Sequence, residues 1–254
     1  MRIRYGVACM AAATLGFFPG LVAAQETAVH AFFSNGVRAV IDQLRPQAEQ
    51  AIGHPLEIQY GTTMSLQRRI EAGEAFDVTI LTEEAITDLL KAGKLVNESR
   101  VELARCGIGM GMRAGGRAPD IRTTAALKQT LRGARSLTYA RDGASRVYLE
   151  RMFEQFGIAE ELKPKTILEQ GSAAANEQVA AGKAEFVLTL VSEILPAPGV
   201  ALVGPLPAEV QNYVGFAAGI SATAKDAVAA RVLVRFLQSP EAAPVYRAKG
   251  MEPR

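Results

Sequence analysis

The stretch AFFSNGVRAVIDQL, residues 31–44, joins an apolar strand to an amphipathic helix through a Ser-Asn-Gly turn. The same alternation continues along the chain, with strands predicted at 29–33, 56–59 and 78–81. Helices are predicted at 36–51, 65–72 and 83–92. Repeated β-α units with short links indicate an α/β fold with a mainly parallel sheet covered by helices. Ligands of such sheets lie beyond the carboxyl ends of the strands, which is where the Ser-Asn-Gly turn falls.

The first 24 residues are typical of a secretory signal peptide. Arg2 and Arg4 precede an apolar run at 7–18, and the small residues at 21–24 form a cleavage site, with cleavage expected after Ala24. The apolar run is too short and too interrupted for a comfortable membrane span. We therefore expect an exported protein that resides in the periplasm.

The charge balance argues against a polyanionic partner. The chain has 28 Lys plus Arg and 26 Asp plus Glu, and removal of Arg2 and Arg4 with the signal peptide leaves 26 of each. A formally neutral product has no global field that favours nucleic acid or an anionic membrane. We expect no nucleic-acid partner, and any anion site must be local.

Cysteine and histidine are too scarce for a metal centre. Cys106 would be the sole cysteine of the exported protein, and it is interpreted as a buried small residue. His30 lies in the first strand and His54 in a Gly-His-Pro turn. Because a zinc site takes at least three protein ligands, we expect neither a metal nor another cofactor.

The second half of the chain repeats the pattern after a long crossing. A Gly-punctuated extended stretch at 100–113 leaves the first lobe, and a second one at 196–220 returns to it. Between them, helices are predicted at 124–131, 144–156 and 173–181, and strands at 136–139, 165–167 and 186–190. Two C-terminal helices, 225–237 and 240–248, close back on the first lobe.

These crossings divide the chain into two lobes around a hinge. Residues 25–107 and 214–254 are assigned to lobe I, and residues 108–213 to lobe II. A cleft between two lobes joined by a hinge is the natural place for a ligand.

Three motifs carry a family resemblance. SNGVRAVIDQL, YGTTMSLQRRIEAGEAFDVTILTEEAITDLLKAGKLV and FLQSPEAAPVYRAKGMEP resemble the periplasmic solute-binding proteins of ABC importers. The similarity is to the molybdate-binding-like branch with the type II fold, and it spans residues 28–253. It implies two lobes, a small anionic ligand and an ABC permease as partner, and we expect a monomer.

The resemblance also implies the first wall of the site. It places one hydroxyl at the start of the first helix, here Ser34 beside Asn35, and a second in a Gly-Thr-Thr turn, here Thr62 and Thr63. Hydroxyls beside free helix N–H groups suit an anion on chemical grounds too. The alternative that these residues only cap helices stays open.

The opposite wall comes from the second lobe. The resemblance implies a backbone N–H donor at Gly143, Ala144 or Ser145, and Ser172 starts a helix in a similar position. Each is also an ordinary helix-start arrangement.

The predicted ligand is an organic di- or tricarboxylate. Leu190 stands where molybdate binders often have a tyrosine, so molybdate and tungstate are disfavoured. Guanidinium groups suit carboxylates through bidentate pairing. Five arginines adjoin the inferred cleft: Arg38, Arg68, Arg69, Arg141 and Arg146. Of these, Arg38 and Arg141 are included in the predicted ligand-binding set.

An enzyme is the alternative to a transport receptor. The Gly-Val-Arg-Ala helix and the Gly-Thr turn are also similar to aconitate isomerase, which implies interconversion of trans- and cis-aconitate by allylic proton transfer. That reaction needs a group to move the proton. His30, Ser34, Asp142 and Glu193 are candidates, and the sequence does not choose between them.

Overall fold

The computed structural model describes residues 28–254, and the predicted signal peptide, 1–24, lies outside the described residues. The strands are β1 (Val29–Ser34), β2 (Leu56–Gly61), β3 (Val78–Thr82), β4 (Val101–Arg113), β5 (Leu137–Ala140), β6 (Thr166–Glu169), β7 (Phe186–Leu190), β8 (Val200–Pro205), β9 (Tyr213–Ile220) and β10 (Met251–Pro253). The helices are α1 (Arg38–Ile52), α2 (Thr63–Glu71), α3 (Glu83–Lys91), α4 (Thr124–Gly133), α5 (Arg146–Gln155), α6 (Ala159–Leu162), α7 (Ser172–Ala180), α8 (Val191–Ile194), α9 (Ala227–Leu237) and α10 (Ala243–Ala248).

The sheet runs in the order β2-β1-β3-β9-β4-β7-β5-β6, with β8 and β10 also paired to β4. Its outer strands are parallel, as β-α alternation predicts: β1 with β2 and β3, and β5 with β6 and β7. The middle of the sheet is antiparallel, through β9 with β3 and through β4 with its neighbours. The predicted α/β, two-lobed type II fold is confirmed.

Strand β4 is the first crossing between the halves of the molecule. Its first part, Val101 to Gly107, pairs with β9, and its second part, Ile108 to Met112, pairs with β7. We call β1, β2, β3, β9 and their helices the first lobe, and β5 to β8 with theirs the second lobe. The residue boundaries predicted for lobe I and lobe II stay a prediction.

Gln211 fastens the two crossings together. Its Nε2 donates to the carbonyl oxygens of Ile108 (3.0 Å) and Leu206 (3.3 Å), and its Oε1 accepts from the N–H groups of Ile108 and Asn212, both at 2.9 Å. One side chain thus satisfies backbone groups on both segments where they pass between lobes.

The sequence did not resolve several boundaries. The extended stretch at 196–220 is two strands, β8 and β9, which pair with different parts of β4. The helix predicted from residue 36 begins as a 3-10 turn, Asn35–Val37, and the one predicted from 144 begins at Arg146. Because both α-helices begin later than predicted, additional turn residues lie at the edge of the sheet that faces the cleft.

The main core lies under α1, α9 and α10 and continues through β4 into the second lobe, under α4 and α5. The apolar face of α1, including Val40, Ile41 and Leu44, is buried, and α1 packs against α9 and β2. Cys106 is fully buried in this core, as predicted, and burial raises the pKa of its thiol. No helix within residues 28–254 is long and apolar enough to cross a membrane.

Candidate ligand site between the lobes

The opening turn presents the Ser34 hydroxyl at the end of β1. Ser34 is 4% exposed, and its Oγ accepts a hydrogen bond from the Gly36 N–H at 3.4 Å. A Cβ at Gly36 would lie 2.4 Å from Cζ of Phe216, so the turn packs directly on that ring. The Gly36 carbonyl accepts from Ser192 Oγ of the second lobe at 2.7 Å. Contacts from both lobes therefore fix the turn that carries Ser34.

Thr62 and Thr63 lie beside Ser34 because the strand register brings them there. Ser34 pairs with Gly61 in the parallel ladder of β1 and β2, so both strands end at the same edge of the sheet. Thr62 caps α2 by accepting from the Ser65 N–H at 3.2 Å. Thr63 Oγ1 donates to Ser34 Oγ at 3.3 Å. In this arrangement the hydroxyl hydrogens of Ser34 and Thr62 stay available to a ligand.

The second lobe faces these hydroxyls with the start of α7 and the turn before α5. Gly143 and Ala144 form that turn, and Gly171 precedes α7 without a side-chain cap. The first N–H groups of a helix have no partner within the helix. The N-terminus of α7 therefore adds donors and a positive dipole end to this wall.

Glu193 also belongs to this wall. Ser172 Oγ donates to its Oε1 at 2.8 Å, and Thr189 Oγ1 donates to its Oε2. Asn176 Nδ2 bonds the carbonyl oxygens of Ser172 (2.9 Å) and Glu193 (3.1 Å), which ties α7 to α8. Desolvation by burial raises the pKa of Glu193, although the two hydroxyl donors oppose the shift.

Together these groups enclose a small central cavity between the lobes. Its volume is about 20 Å³, enough for one water-sized group. It is lined by Ser34, Asn35, Thr62, Thr63, Ala140, Gly143, Ala144, Ser172, Leu190 and Glu193.

A wider cavity adjoins the central one on each side, and all three share Asn35. The first, about 310 Å³, is lined by Arg38, Asn176, Glu193 and the turn of Pro196 to Pro198, among others. We call it the Arg38 cavity.

The other, about 430 Å³, is lined by Gly61, Thr62, Ser65, Arg141, Asp142 and Gln170. We call it the Arg141 cavity. The central cavity is therefore much smaller than the two cavities that adjoin it.

The structure brings most of the predicted residues together. Seven line the central cavity: Ser34, Asn35, Thr62, Thr63, Gly143, Ala144 and Ser172. Arg38 and Arg141 each line one of the outer cavities. Ser145 is buried at the start of α5 and does not line these cavities.

Three of the arginines considered for the ligand are occupied by acids. Arg69 pairs with Glu74, and Arg146 pairs with Glu150 at 2.8 Å. Arg68 crosses the cleft to Asp142 at 2.9 Å, which joins the lobes at the Arg141 cavity.

Arg38 is more loosely held, because its Nε lies 3.5 Å from Asp42 and its guanidinium stacks on the Tyr60 ring at 4.8 Å. The sequence alone did not separate paired arginines from available ones.

Three residues of the central cavity, Ala140, Leu190 and Glu193, were absent from the predicted ligand-binding set. Leu190 was noted as a departure from the molybdate pattern, and here it places an alkyl side chain at the cavity. Glu193 was considered only as a base. The signal that could have indicated this position is that Glu193 follows shortly after the end of β7, a strand that pairs with β4. Within residues 28–254 no cluster of three His, Cys, Asp or Glu residues suits a metal ion.

Comparison with known proteins agrees with this architecture. Residues 29–252 match the family model described as bacterial extracellular solute-binding protein. The chain is 29% identical over 250 residues to an aconitate isomerase from Pseudomonas sp, covering 96% of this chain and 95% of that protein.

Among solved structures, the periplasmic molybdate-binding protein of Azotobacter vinelandii has a TM-score of 0.74 at 17% identity, covering 88% of this chain and 98% of that one. The sulfate-binding protein SubI of Mycobacterium tuberculosis H37Rv has a TM-score of 0.72 at 17% identity, covering 89% and 87%. The chain therefore belongs to the bacterial extracellular solute-binding proteins.

Proposed function

We propose that this protein captures a small organic di- or tricarboxylate in the cleft between its lobes, after export to the periplasm. The main support for this proposal is that the cleft is divided into one small central cavity and two wider outer cavities. Neutral donors converge on a central cavity with room for one water-sized group, and an arginine stands in each outer cavity. An extended molecule with a polar group in the middle and carboxylates at its ends suits that shape.

The donors fit an anion without a buried counter-charge. Ser34 and Thr62 already accept backbone N–H bonds, so each hydroxyl hydrogen is free to point at an oxygen of the ligand. Hydrogen bonds to charged groups are the stronger ones. Arg38 and Arg141 would add bidentate contacts to carboxylates at the two ends.

A compact metal oxyanion fits less well. Leu190 supplies no hydrogen-bond donor from the wall where a phenol would complete an oxyanion shell. A doubly charged oxyanion in the central cavity would place all of its charge beside the Glu193 carboxyl, whereas an extended carboxylate places its charges in the outer cavities. We therefore favour the carboxylate over molybdate, tungstate or sulfate.

Ligand-dependent stability tests this proposal. The purified protein without its signal peptide would be unfolded with urea in the presence of citrate, tricarballylate, each aconitate isomer, molybdate or sulfate. A ligand present at 100 times its dissociation constant adds about 2.7 kcal/mol to the free energy of unfolding. We expect this with a carboxylate. Stabilisation by molybdate alone would contradict the carboxylate proposal, and no stabilisation by any anion would contradict the site.

In the transport version of this function, the loaded protein delivers its ligand to an ABC permease. The hydrogen bonds of Gln211 at the two crossings and the interlobe pair Arg68–Asp142 would support opening and closing of the lobes about these crossings. A pull-down with a permease encoded beside this protein, with and without the carboxylate, would test the partner. Retention only in the presence of ligand is the expected result.

A second candidate function is isomerisation of an unsaturated tricarboxylate. Two observations favour it: the similarity to an aconitate isomerase over nearly the whole chain, and an acidic side chain in the central cavity. Incubation with trans-aconitate in deuterated water, followed by proton NMR, separates the two functions. Appearance of deuterated cis-aconitate would establish the enzyme, whereas binding without conversion would leave the receptor.

A further inference from the structure

The central cavity contains one ionisable side chain among the residues described. Nine of its ten lining residues are neutral, and the tenth is Glu193. A carboxylate is an unfavourable neighbour for an anionic ligand, because like charges at close range destabilise each other. A carboxylate here opposes the binding of an anion, whereas a reaction that moves a proton from carbon needs a base within reach of the ligand.

The contacts of Glu193 orient its carboxyl group. Ser172 and Thr189 each donate to a different oxygen, which holds the group against α7 and β7. Each carboxylate oxygen has more than one lone pair, so two hydrogen bonds leave capacity to accept a proton. The side chain is partly exposed, and the cavities it lines are the central one and the Arg38 cavity.

We propose, on the basis of the proposed isomerase function, that Glu193 is the catalytic residue. Its carboxylate removes a proton from the methylene carbon of the ligand and returns the proton at the other end of the allylic system. Burial raises the pKa of this carboxyl, which makes it a stronger base than a solvated glutamate.

The step balances without a further reactant. An oxygen of Glu193 takes the methylene proton, and the C–H electron pair becomes a new C=C bond to the central carbon. The original π pair moves to the far carbon and is delocalised into the adjacent carboxylate. Arg38 or Arg141 stabilises that developing charge from its outer cavity. The far carbon then takes the proton back from Glu193, so no net charge or redox change remains.

The other candidate bases are placed elsewhere. His30 lies near the start of β1, far along the strand from Ser34, and its Nδ1 contacts Glu57 at 3.0 Å. Asp142 lies in the Arg141 cavity and is paired with Arg68. Ser34 has Thr63 and a backbone N–H as neighbours rather than a base that would activate it.

The first test compares Glu193→Gln with the wild-type protein and with Glu160→Gln, an exposed acid on α6 outside the cleft. Wild type and both variants would be assayed for stabilisation by trans-aconitate and for conversion and deuterium incorporation. We expect Glu193→Gln to bind the ligand but to lose conversion by about 100-fold or more, with Glu160→Gln unchanged. Conversion by Glu193→Gln at a rate near wild type would overturn the assignment while leaving the isomerase in place.

Wild-type binding without conversion would overturn both the isomerase and the role of Glu193, but would leave the carboxylate receptor standing. An absence of wild-type binding would contradict the proposed function itself. These three failures are therefore distinguishable.

Thr189→Val keeps the acid and removes one of its donors, so it covers the case in which Glu193→Gln does not fold. Loss of this donor raises the pKa of Glu193, and the acidic limb of the kcat–pH profile should move to higher pH. The other charged or titratable groups around Glu193 are unchanged by this substitution: Arg38, Asp42, Cys106 and Glu177. A limb that does not move would overturn the proposal.

Discussion

Two threonines with the same structural role separate ligand contact from helix capping. Thr62 caps α2 by accepting from the Ser65 N–H at 3.2 Å, and Thr123 caps α4 by accepting from the Ala126 N–H at 3.1 Å. Thr62 lines the central cavity, whereas Thr123 is exposed at the start of α4. Each would be replaced by alanine.

The two substitutions should cost similar stability and different affinity. Loss of a threonine N-cap costs about 1 kcal/mol in either helix. A hydrogen bond to a charged ligand contributes about 1.5–3 kcal/mol, and each 1.4 kcal/mol is tenfold in affinity. Thr62→Ala should therefore weaken carboxylate binding by roughly 10-fold to 100-fold, and Thr123→Ala should leave it unchanged.

Urea unfolding without ligand would measure the stability of each variant, and titration calorimetry with trans-aconitate would measure its affinity. Equal losses of stability with unchanged affinity in both variants would refute the assignment of Thr62 to the ligand. It would mean that Thr62 only caps α2.

Three further substitutions test how the site is built. Gly36→Ala places a Cβ 2.4 Å from the Phe216 ring and should cost about 1–3 kcal/mol in urea unfolding, whereas Gly133→Ala, with nothing within 4 Å, should cost far less. Gln211→Ala removes the partner of the Asn212 N–H and of the Leu206 carbonyl and should cost about 1–3 kcal/mol in the same assay. Because the raised pKa of Glu193 makes the folded state bind more protons, the free energy of unfolding should fall as pH rises from about 4.3 through that raised pKa. Glu193→Gln should reduce that fall in unfolding curves recorded between pH 4 and 8, and an unchanged slope would argue against a raised pKa.

Much of the fold was predictable because its signals are local. Each β-α unit carries its own apolar strand, turn and amphipathic helix, so the outer, parallel parts of the sheet follow from period and turn residues. The middle of the sheet does not, because pairing of β4 with β7, β8 and β9 joins segments far apart in sequence. The sequence contains no local mark for the point in β4 where one partner replaces another.

The candidate site likewise has a part that was predictable from local sequence and a part that was not. Ser34, Thr62 and Thr63 were predictable because strand ends and helix starts in one parallel ladder must meet at one edge. The pairing of Arg68 with Asp142 depends on how the lobes face each other, and the contact of Glu193 with Ser172 depends on how α8 packs against α7. Tertiary packing sets these contacts. The sequence therefore showed neither that Arg68 is paired with an acid nor which groups surround Glu193.

The central claim is that the cleft holds an extended organic carboxylate. Titration calorimetry of the wild-type protein with trans-aconitate and, separately, with molybdate tests it most directly. We expect saturable binding of one trans-aconitate per chain, with molybdate at least tenfold weaker. Tight binding of molybdate together with no heat from trans-aconitate would contradict the account.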